Sequence, residues 1–229
     1  LPKDASVNAT AFNGCTGLTS ATIYTPKVQT WFAGMTNIKS IELGNEVTTS
    51  GAGAFKGCVN LPTIELPENL ISIEANSFEG CTIMKDIELP AKATIGNYAF
   101  KDCKGLATIT LPKNASINAT AFNGCTGLAS VTIYTPKVQT WFAGMSNIKS
   151  IKLGNEVTAI GSGAFKGCTA LPTVDLSYVS TIEANSFEGC TGLTEIQIPA
   201  KGTVGDYAFK NCTGLTEMTI PYAANVSDL

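Results

Sequence analysis

The residue types best suited to chemistry in this 229-residue sequence are eight cysteines and eighteen acidic residues, and histidine is absent. Without histidine the chain has no Ser-His-Asp triad, no Cys-His pair and no imidazole ligand for a metal ion. These are the commonest routes to hydrolysis at neutral pH, so we expect no catalytic residues, no cofactor and no enzymatic activity. The net charge of −3 also argues against the basic surface that a nucleic-acid partner requires.

The cysteines follow a repeating pattern of phenylalanine. Each cysteine lies three residues after a phenylalanine, and the ten phenylalanines follow one another at intervals of 20 to 23 residues. The phenylalanines are Phe12, Phe32, Phe55, Phe78, Phe100, Phe122, Phe142, Phe165, Phe187 and Phe209. The cysteines are Cys15, Cys58, Cys81, Cys103, Cys125, Cys168, Cys190 and Cys212, and Met35 and Met145 take their place in the other two repeats.

Cysteines that recur once per repeat have three interpretations: metal ligands, a ladder of disulfides, or a column of reduced thiols. If successive repeats pair as parallel strands, equivalent residues lie roughly 4.8 Å apart, which is within the Cα separation of roughly 4.4 to 6.8 Å found in disulfides. Pairing nevertheless leaves thiols over, since Cys15 has Met35 as its neighbour and Cys168, Cys190 and Cys212 form an odd run. Replacement by methionine favours a buried apolar column of reduced thiols, so we predict no metal site.

The elements that must position these residues are the coils of a solenoid. A period of 20 to 23 residues is too short for a pair of helices and fits one coil that carries one strand. The stretch from six to eleven residues after phenylalanine, as in 106–111, ends in the alternation typical of a strand. Proline follows several of these stretches, and Gly, Asn or Asp two residues after phenylalanine predicts a left-handed turn.

The repeats are duplicated as two blocks of five, residues 1–110 and 111–220. Residues 1–58 match residues 111–168 with nine differences in 58 positions. We therefore expect a single solenoid domain over residues 1–229. Because the sequence begins Leu1-Pro2 and shows no polar caps, we expect a fragment of a longer array, whose open ends would allow end-to-end self-association.

The repeat resembles that of the BspA-type leucine-rich repeat family of bacterial and protist surface proteins. The family pattern, roughly Ile-Gly-x-x-Ala-Phe-x-x-Cys-x-x-Leu-x-x-Ile-x-Ile-Pro, is nearly complete in residues 95–112 and 160–176. The resemblance implies a leucine-rich-repeat solenoid, a right-handed curved coil of about ten repeats with a parallel β-sheet on its concave face. It also implies an extracellular or cell-surface location and adhesion to host or matrix proteins, without naming a ligand.

Residues eight and ten positions after each phenylalanine are predicted to point out from the concave face, because they alternate with buried ones. These twenty positions hold seven acids and one base, Lys152. The acids are the candidate binding residues: Glu42, Glu65, Asp86, Glu88, Asp175, Glu195 and Glu217. Glu42, Glu65 and Glu88 lie on successive coils, where like charges repel. Three things would offset this repulsion: solvation together with Lys39 and Lys85, a basic segment of a partner, or a divalent cation.

Two aromatic pairs also repeat between the blocks, Tyr24 with Trp31 and Tyr134 with Trp141. Each tryptophan replaces the usual small residue before phenylalanine in a repeat of 20 residues. It either fills the space left by the shorter connection or forms, with the tyrosine, an exposed patch that anchors a protein or sugar ligand.

Together these features predict a non-enzymatic binding module that recognises a protein, or a ligand on a host or matrix surface, through its concave face. The alternative is a structural spacer that presents another domain. No apolar run approaches the roughly eighteen residues of a membrane span, so we expect no membrane insertion by this segment.

One polar residue interrupts an apolar column: Ser50 stands where other repeats carry Ile73, Ile95, Ile160 or Ile182. If the position is buried, Ser50→Ile should raise the free energy of unfolding by about 1 kcal/mol or more through added apolar burial. The measurement is the melting temperature of the variant. An unchanged or lowered value would show that this coil is arranged differently.

Overall fold

The computed structural model describes residues 1–2, 4–222 and 225–226. It divides into two compact units, Leu1–Gly127 (unit 1) and Leu128–Leu229 (unit 2). Each unit is a parallel β-solenoid whose successive coils contribute short strands to shared sheets. The predicted leucine-rich-repeat solenoid is confirmed, and coil follows coil at the period of the phenylalanines.

Most strands are two to four residues long. Among the described residues, unit 1 contains β1 (Ser20–Ile23), β2 (Lys27–Val28), β3 (Ser40–Leu43), β4 (Thr49–Ser50), β5 (Ser72–Ile73), β6 (Thr94–Ile95), β7 (Thr108–Leu111) and β8 (Ser116–Ile117). Unit 2 contains β9 (Ser130–Ile133), β10 (Lys137–Val138), β11 (Ser150–Leu153), β12 (Ala159–Ile160), β13 (Thr181–Ile182), β14 (Glu195–Gln197), β15 (Thr203–Val204), β16 (Glu217–Thr219) and β17 (Asn225–Val226). A short 3₁₀ helix ends at each of two phenylalanines, Thr30–Phe32 and Thr140–Phe142.

Each unit has strands on two sides of the coil. The longer strands form the predicted sheet, in which β1 pairs with β3, β9 with β11 and β14 with β16. The two-residue strands form a second parallel sheet, in the order β2-β4-β5-β6-β8 in unit 1 and β10-β12-β13-β15-β17 in unit 2. This second sheet was not predicted from the sequence. Its strands coincide with a column of valine and isoleucine about five residues before most of the phenylalanines, and this column could have indicated it.

The predicted sheet is interrupted in both units, since residues 61–66, 84–89 and 171–176 form no strand. Residues 84–89 contain no proline, and the Lys85 N–H donates to the Pro62 carbonyl at 3.1 Å, so proline accounts only for the other two segments. In other coils the N–H seven residues after phenylalanine donates to the preceding coil, as from Lys39 to the Thr19 carbonyl at 2.8 Å. Pro62 and Pro172 occupy this position and have no N–H to donate. The expectation of a strand in every repeat is therefore wrong for these coils.

The phenylalanine column forms the centre of each core. Neighbouring rings stack nearly parallel, with centroids 5.1 to 6.2 Å apart from Phe32 to Phe122 and from Phe142 to Phe209. The backbone reinforces the stack, since the N–H of Phe78 donates to the Ala99 carbonyl at 2.7 Å and that of Phe100 to the Ala121 carbonyl at 2.9 Å. Ring stacking and backbone hydrogen bonds between the turns of successive coils thus hold the same coils together.

Ser50 is fully buried, as its position in the apolar column suggested. Its hydroxyl oxygen lies 2.5 Å from that of Ser77, so the buried hydroxyl has a partner. Unit 2 shows the alternative arrangement: Ile160 fills the equivalent place, and Ser186, the counterpart of Ser77, donates to the Gly161 carbonyl at 3.1 Å. In the Ser50→Ile variant, the isoleucine should therefore fit as Ile160 does in unit 2, and Ser77 can donate to a backbone carbonyl as Ser186 does.

The left-handed turn two residues after phenylalanine is confirmed. Its φ is +73° at Gly57, and +57° and +59° where Asp102 and Asn211 replace glycine. Because an L-residue pays about 1 to 2 kcal/mol in this conformation, Gly57→Ala should lower the free energy of unfolding by about that amount. Gly17→Ala is the control: that glycine lacks a positive φ and an added Cβ meets nothing within 4 Å, so urea unfolding should be unchanged. Equal losses in both variants would contradict the prediction.

Candidate functional site

The cysteine column is structural rather than reactive. Seven cysteines are buried, and each of their Sγ atoms lies 3.1 to 3.4 Å from the carbonyl oxygen of the phenylalanine in the preceding coil. Burial raises the pKa of Cys58, Cys125, Cys168 and Cys190 to about 12. Since the thiolate is the nucleophile and the metal ligand, these thiols are kept in their inert form.

The predicted buried column is wrong for its first member, because Cys15 is exposed. In the described part of the chain, no group of three or more His, Cys, Asp or Glu side chains is placed to hold a metal ion.

The strand face is defined here as the positions eight and ten residues after each phenylalanine. All twenty are exposed or half-exposed, whereas eight of the ten residues between them, such as Ile41 and Ile196, are buried, and Ala21 and Met218 are half-buried. The alternation predicted from the sequence is confirmed, and the seven candidate acids all reach solvent.

The acids of unit 1 do not converge on a site. Glu42 lies on β3 and accepts a hydrogen bond from Thr22 at 3.2 Å, while Asp86 accepts one from Thr63 at 3.2 Å. Glu65 and Glu88 lie in the segments that form no strand. Among the described residues, Glu42, Glu65 and Glu88 are not part of a group of three or more side chains that could hold a metal ion, so the structure gives the divalent-cation interpretation no support.

The acids of unit 2 share a groove of about 530 Å³ on the strand face. Three successive coils supply its polar lining: Thr173, Asp175, Glu195, Gln197, Glu217 and Thr219. Glu195 and Glu217 are direct partners in the parallel register of β14 and β16. The sequence placed all six residues on the strand face, but it did not indicate that this stretch is concave enough to hold a ligand.

The groove is negatively charged and its lining contains no lysine or arginine. Asp175 accepts hydrogen bonds from the hydroxyl and the backbone N–H of Ser177. These two bonds hold the pKa of Asp175 below its usual range, so this carboxylate is ionised and fixed in orientation. The ion pairs that unit 2 forms among its described residues, Lys137–Glu183 and Lys166–Glu188, involve none of the groove acids.

Of the two interpretations of the Tyr–Trp pairs, the structure supports filling of space by tryptophan: Tyr24 is exposed, but the tryptophans are buried, so they form no exposed patch with the tyrosines. Trp31 and Trp141 are each 3% exposed, and the Trp31 indole N–H donates to the Asn8 carbonyl at 2.9 Å. Tyr24 lies against Gly44 and Tyr134 against Gly154, where a Cβ would come within 2.2 and 2.3 Å of the rings. The tryptophans fill space beside the phenylalanine column, because the 3₁₀ turn of the shorter repeat directs them inward.

Comparison with known families identifies the class of protein that this fold defines. A family model described as the BspA-type leucine-rich repeat region, in 6 copies, matches residues 28–140 and 138–228. The chain belongs to the BspA-type leucine-rich repeat family, as its repeat pattern indicated. No curated protein matches the sequence.

Solved structures share the fold. A leucine-rich repeat protein from Bacteroides ovatus is 24% identical, with a TM-score of 0.69, and the match covers 92% of this chain and 66% of that one. The leucine-rich repeat protein of T. pallidum is 28% identical, with a TM-score of 0.54, over 68% of this chain and 72% of that one. The pneumococcal vaccine antigen PcpA is 21% identical, with a TM-score of 0.51, over 92% and 66%.

These leucine-rich repeat solenoids belong to a class that typically binds proteins rather than catalysing reactions, and this chain is similar to them in fold. The chain spans 66% of the length of the Bacteroides ovatus and pneumococcal proteins. Within the residues that the structure describes, no helix has the length and hydrophobicity needed to cross a membrane.

The buried thiols predict a loss of stability at alkaline pH. In the native state Cys125 keeps its proton to about pH 12, whereas a cysteine of the unfolded chain ionises near pH ~8.5. Above that pH the unfolded state binds fewer protons than the native state. The contribution of this thiol to the free energy of unfolding is therefore fully present below pH ~8.5 and is lost as the pH rises toward 12. Urea unfolding between pH 7 and pH 10.5 measures the slope.

Two variants separate the thiols from the tyrosines and lysines that titrate in the same range. Cys125→Ala should make the decline with pH shallower, because one buried thiol no longer contributes. Cys15→Ser should leave the slope unchanged, because Cys15 is exposed. Equal slopes in the wild type and both variants would refute the thiol explanation.

Proposed function

We propose that this chain is a non-enzymatic binding module of the cell surface or extracellular space that holds a protein ligand on the strand face of unit 2. The observation that carries the proposal is the groove of about 530 Å³ across three coils of that face. Its volume falls within the roughly 300 to 1,000 Å³ of ligand-binding clefts. Family membership supports the same function, since solenoids present extended surfaces to their partners.

Adhesion to host or matrix components is the form of binding that we propose for this surface. Two of the three coils that line the groove contribute the hydrogen-bonded strands β14 and β16, so a partner would meet a largely preformed surface. Histidine is absent, and Asp175, Glu195 and Glu217 are all exposed, so the groove offers no water-excluded site for acid–base chemistry. These features favour recognition over catalysis.

The test is capture of purified matrix and host-surface proteins on the immobilised chain, with a variant that fills the groove. Gln197→Trp places a large side chain in the groove at an exposed position, and Thr110→Trp places the same side chain in the equivalent column of unit 1. We expect a captured partner to be lost with Gln197→Trp and retained with Thr110→Trp. Circular dichroism and melting temperature establish that both variants fold.

A structural spacer is the competing function. A spacer would tolerate both substitutions and capture no partner from any source. Capture that both variants retain would place binding outside the groove and would contradict the proposed site.

A further inference from the structure

We infer that the groove of unit 2 binds an extended peptide segment that carries two basic side chains two residues apart. This inference rests on the proposed function and names the chemistry of the partner. It follows from the negative charge of the groove and from the spacing of Glu195 and Glu217 on two adjacent strands.

The charge of the groove selects a cation. Asp175, Glu195 and Glu217 contribute three carboxylates, and no lysine or arginine lines the groove to neutralise them. Glu195 and Glu217 lie directly opposite each other in a parallel pair, where like charges repel. A positively charged partner relieves this repulsion on binding, whereas a neutral or acidic partner leaves it in place or increases it.

The groove acids of unit 2 take part in none of the ion pairs found among the described residues. Lys137 pairs with Glu183 at 2.5 Å and Lys166 with Glu188 at 2.6 Å, and none of these four residues lines the groove. Lys152 stands one coil before Asp175 in the same column, so Glu195 and Glu217 are the acids that lie farther along the groove from this lysine. Asp175 is held by Ser177, so it presents a fixed carboxylate rather than a mobile one. A fixed acceptor loses less conformational entropy when a cation binds.

The spacing of the acids fits a chain that crosses the strands. Adjacent strands of a sheet lie roughly 4.8 Å apart, so Glu195 and Glu217 are offset by about that distance along the groove. Side chains on one face of an extended peptide recur about every 6.6 Å, and long lysine or arginine side chains span the difference. Two such side chains separated by one residue therefore reach Glu195 and Glu217 together.

The rest of the lining suits the aliphatic part of these side chains. Pro199 and Ala200 border the groove beside the acids. Lysine and arginine side chains pack their methylene groups on apolar surface while the charged head contacts a carboxylate. Gln197 and Thr219 supply amide and hydroxyl groups that can bond the backbone of the peptide.

The experiment is isothermal titration of the intact chain with three peptides of equal length, in which glycine alternates with lysine, with serine or with glutamate. We expect the lysine peptide to bind, and binding to weaken as salt is raised from 50 to 300 mM. The double variant Glu195→Gln with Glu217→Gln should weaken it by about tenfold. The matched double variant Glu42→Gln with Glu65→Gln, in unit 1, should leave it within twofold of the wild type.

Each other outcome overturns the inference. Equal binding of the serine peptide would show that the groove holds a peptide without selecting charge, so the proposed function would stand and the basic partner would not. Equal loss in the two double variants would show diffuse attraction rather than a site. Absence of binding by the lysine peptide overturns the inference alone if Gln197→Trp still abolishes capture of a matrix protein, and otherwise the proposed function fails with it.

Discussion

The repeated contact between one coil and the next is the interaction on which the rest of the structure depends. Stacked phenylalanine rings, with centroids 5.1 to 6.2 Å apart, and backbone hydrogen bonds such as that from Phe78 to Ala99 join the same pairs of coils. A single coil of 20 to 23 residues cannot bury its own apolar face, so stability comes from stacking. The residue types at the inward positions are therefore restricted by the repeat, whereas the residue types at the outward positions are free to vary.

The same constraint decides what the cysteines do. Each buried thiol donates to a phenylalanine carbonyl of the preceding coil, so the column serves as a polar seam inside the core. Burial thus makes an often reactive residue type inert, and the ionised side chains available to a partner are those on the surface.

Duplication followed by substitution on the strand face distinguishes the two units. The matching residues Glu42 and Lys152 differ in charge, while the buried residues that precede them, Ile41 and Ile151, are identical. The groove of unit 2 lies after residue 168, where the sequence of the second block (residues 111–220) differs most from that of the first (residues 1–110). A repeated core that tolerates such changes allows one face to acquire a binding surface without loss of stability.

The sequence by itself determined the solenoid, the family and the exposure of the strand face, because a 20 to 23 residue period places every residue type on a known side of the coil. Only the tertiary structure decided that Trp31 is buried, that Pro62 and Pro172 interrupt the sheet, and that Asp175, Glu195 and Glu217 share a groove. These outcomes depend on the path of the chain between strands and on which neighbour supplies a hydrogen bond. The period fixes the direction of a side chain, whereas the depth of a surface is set by several coils together.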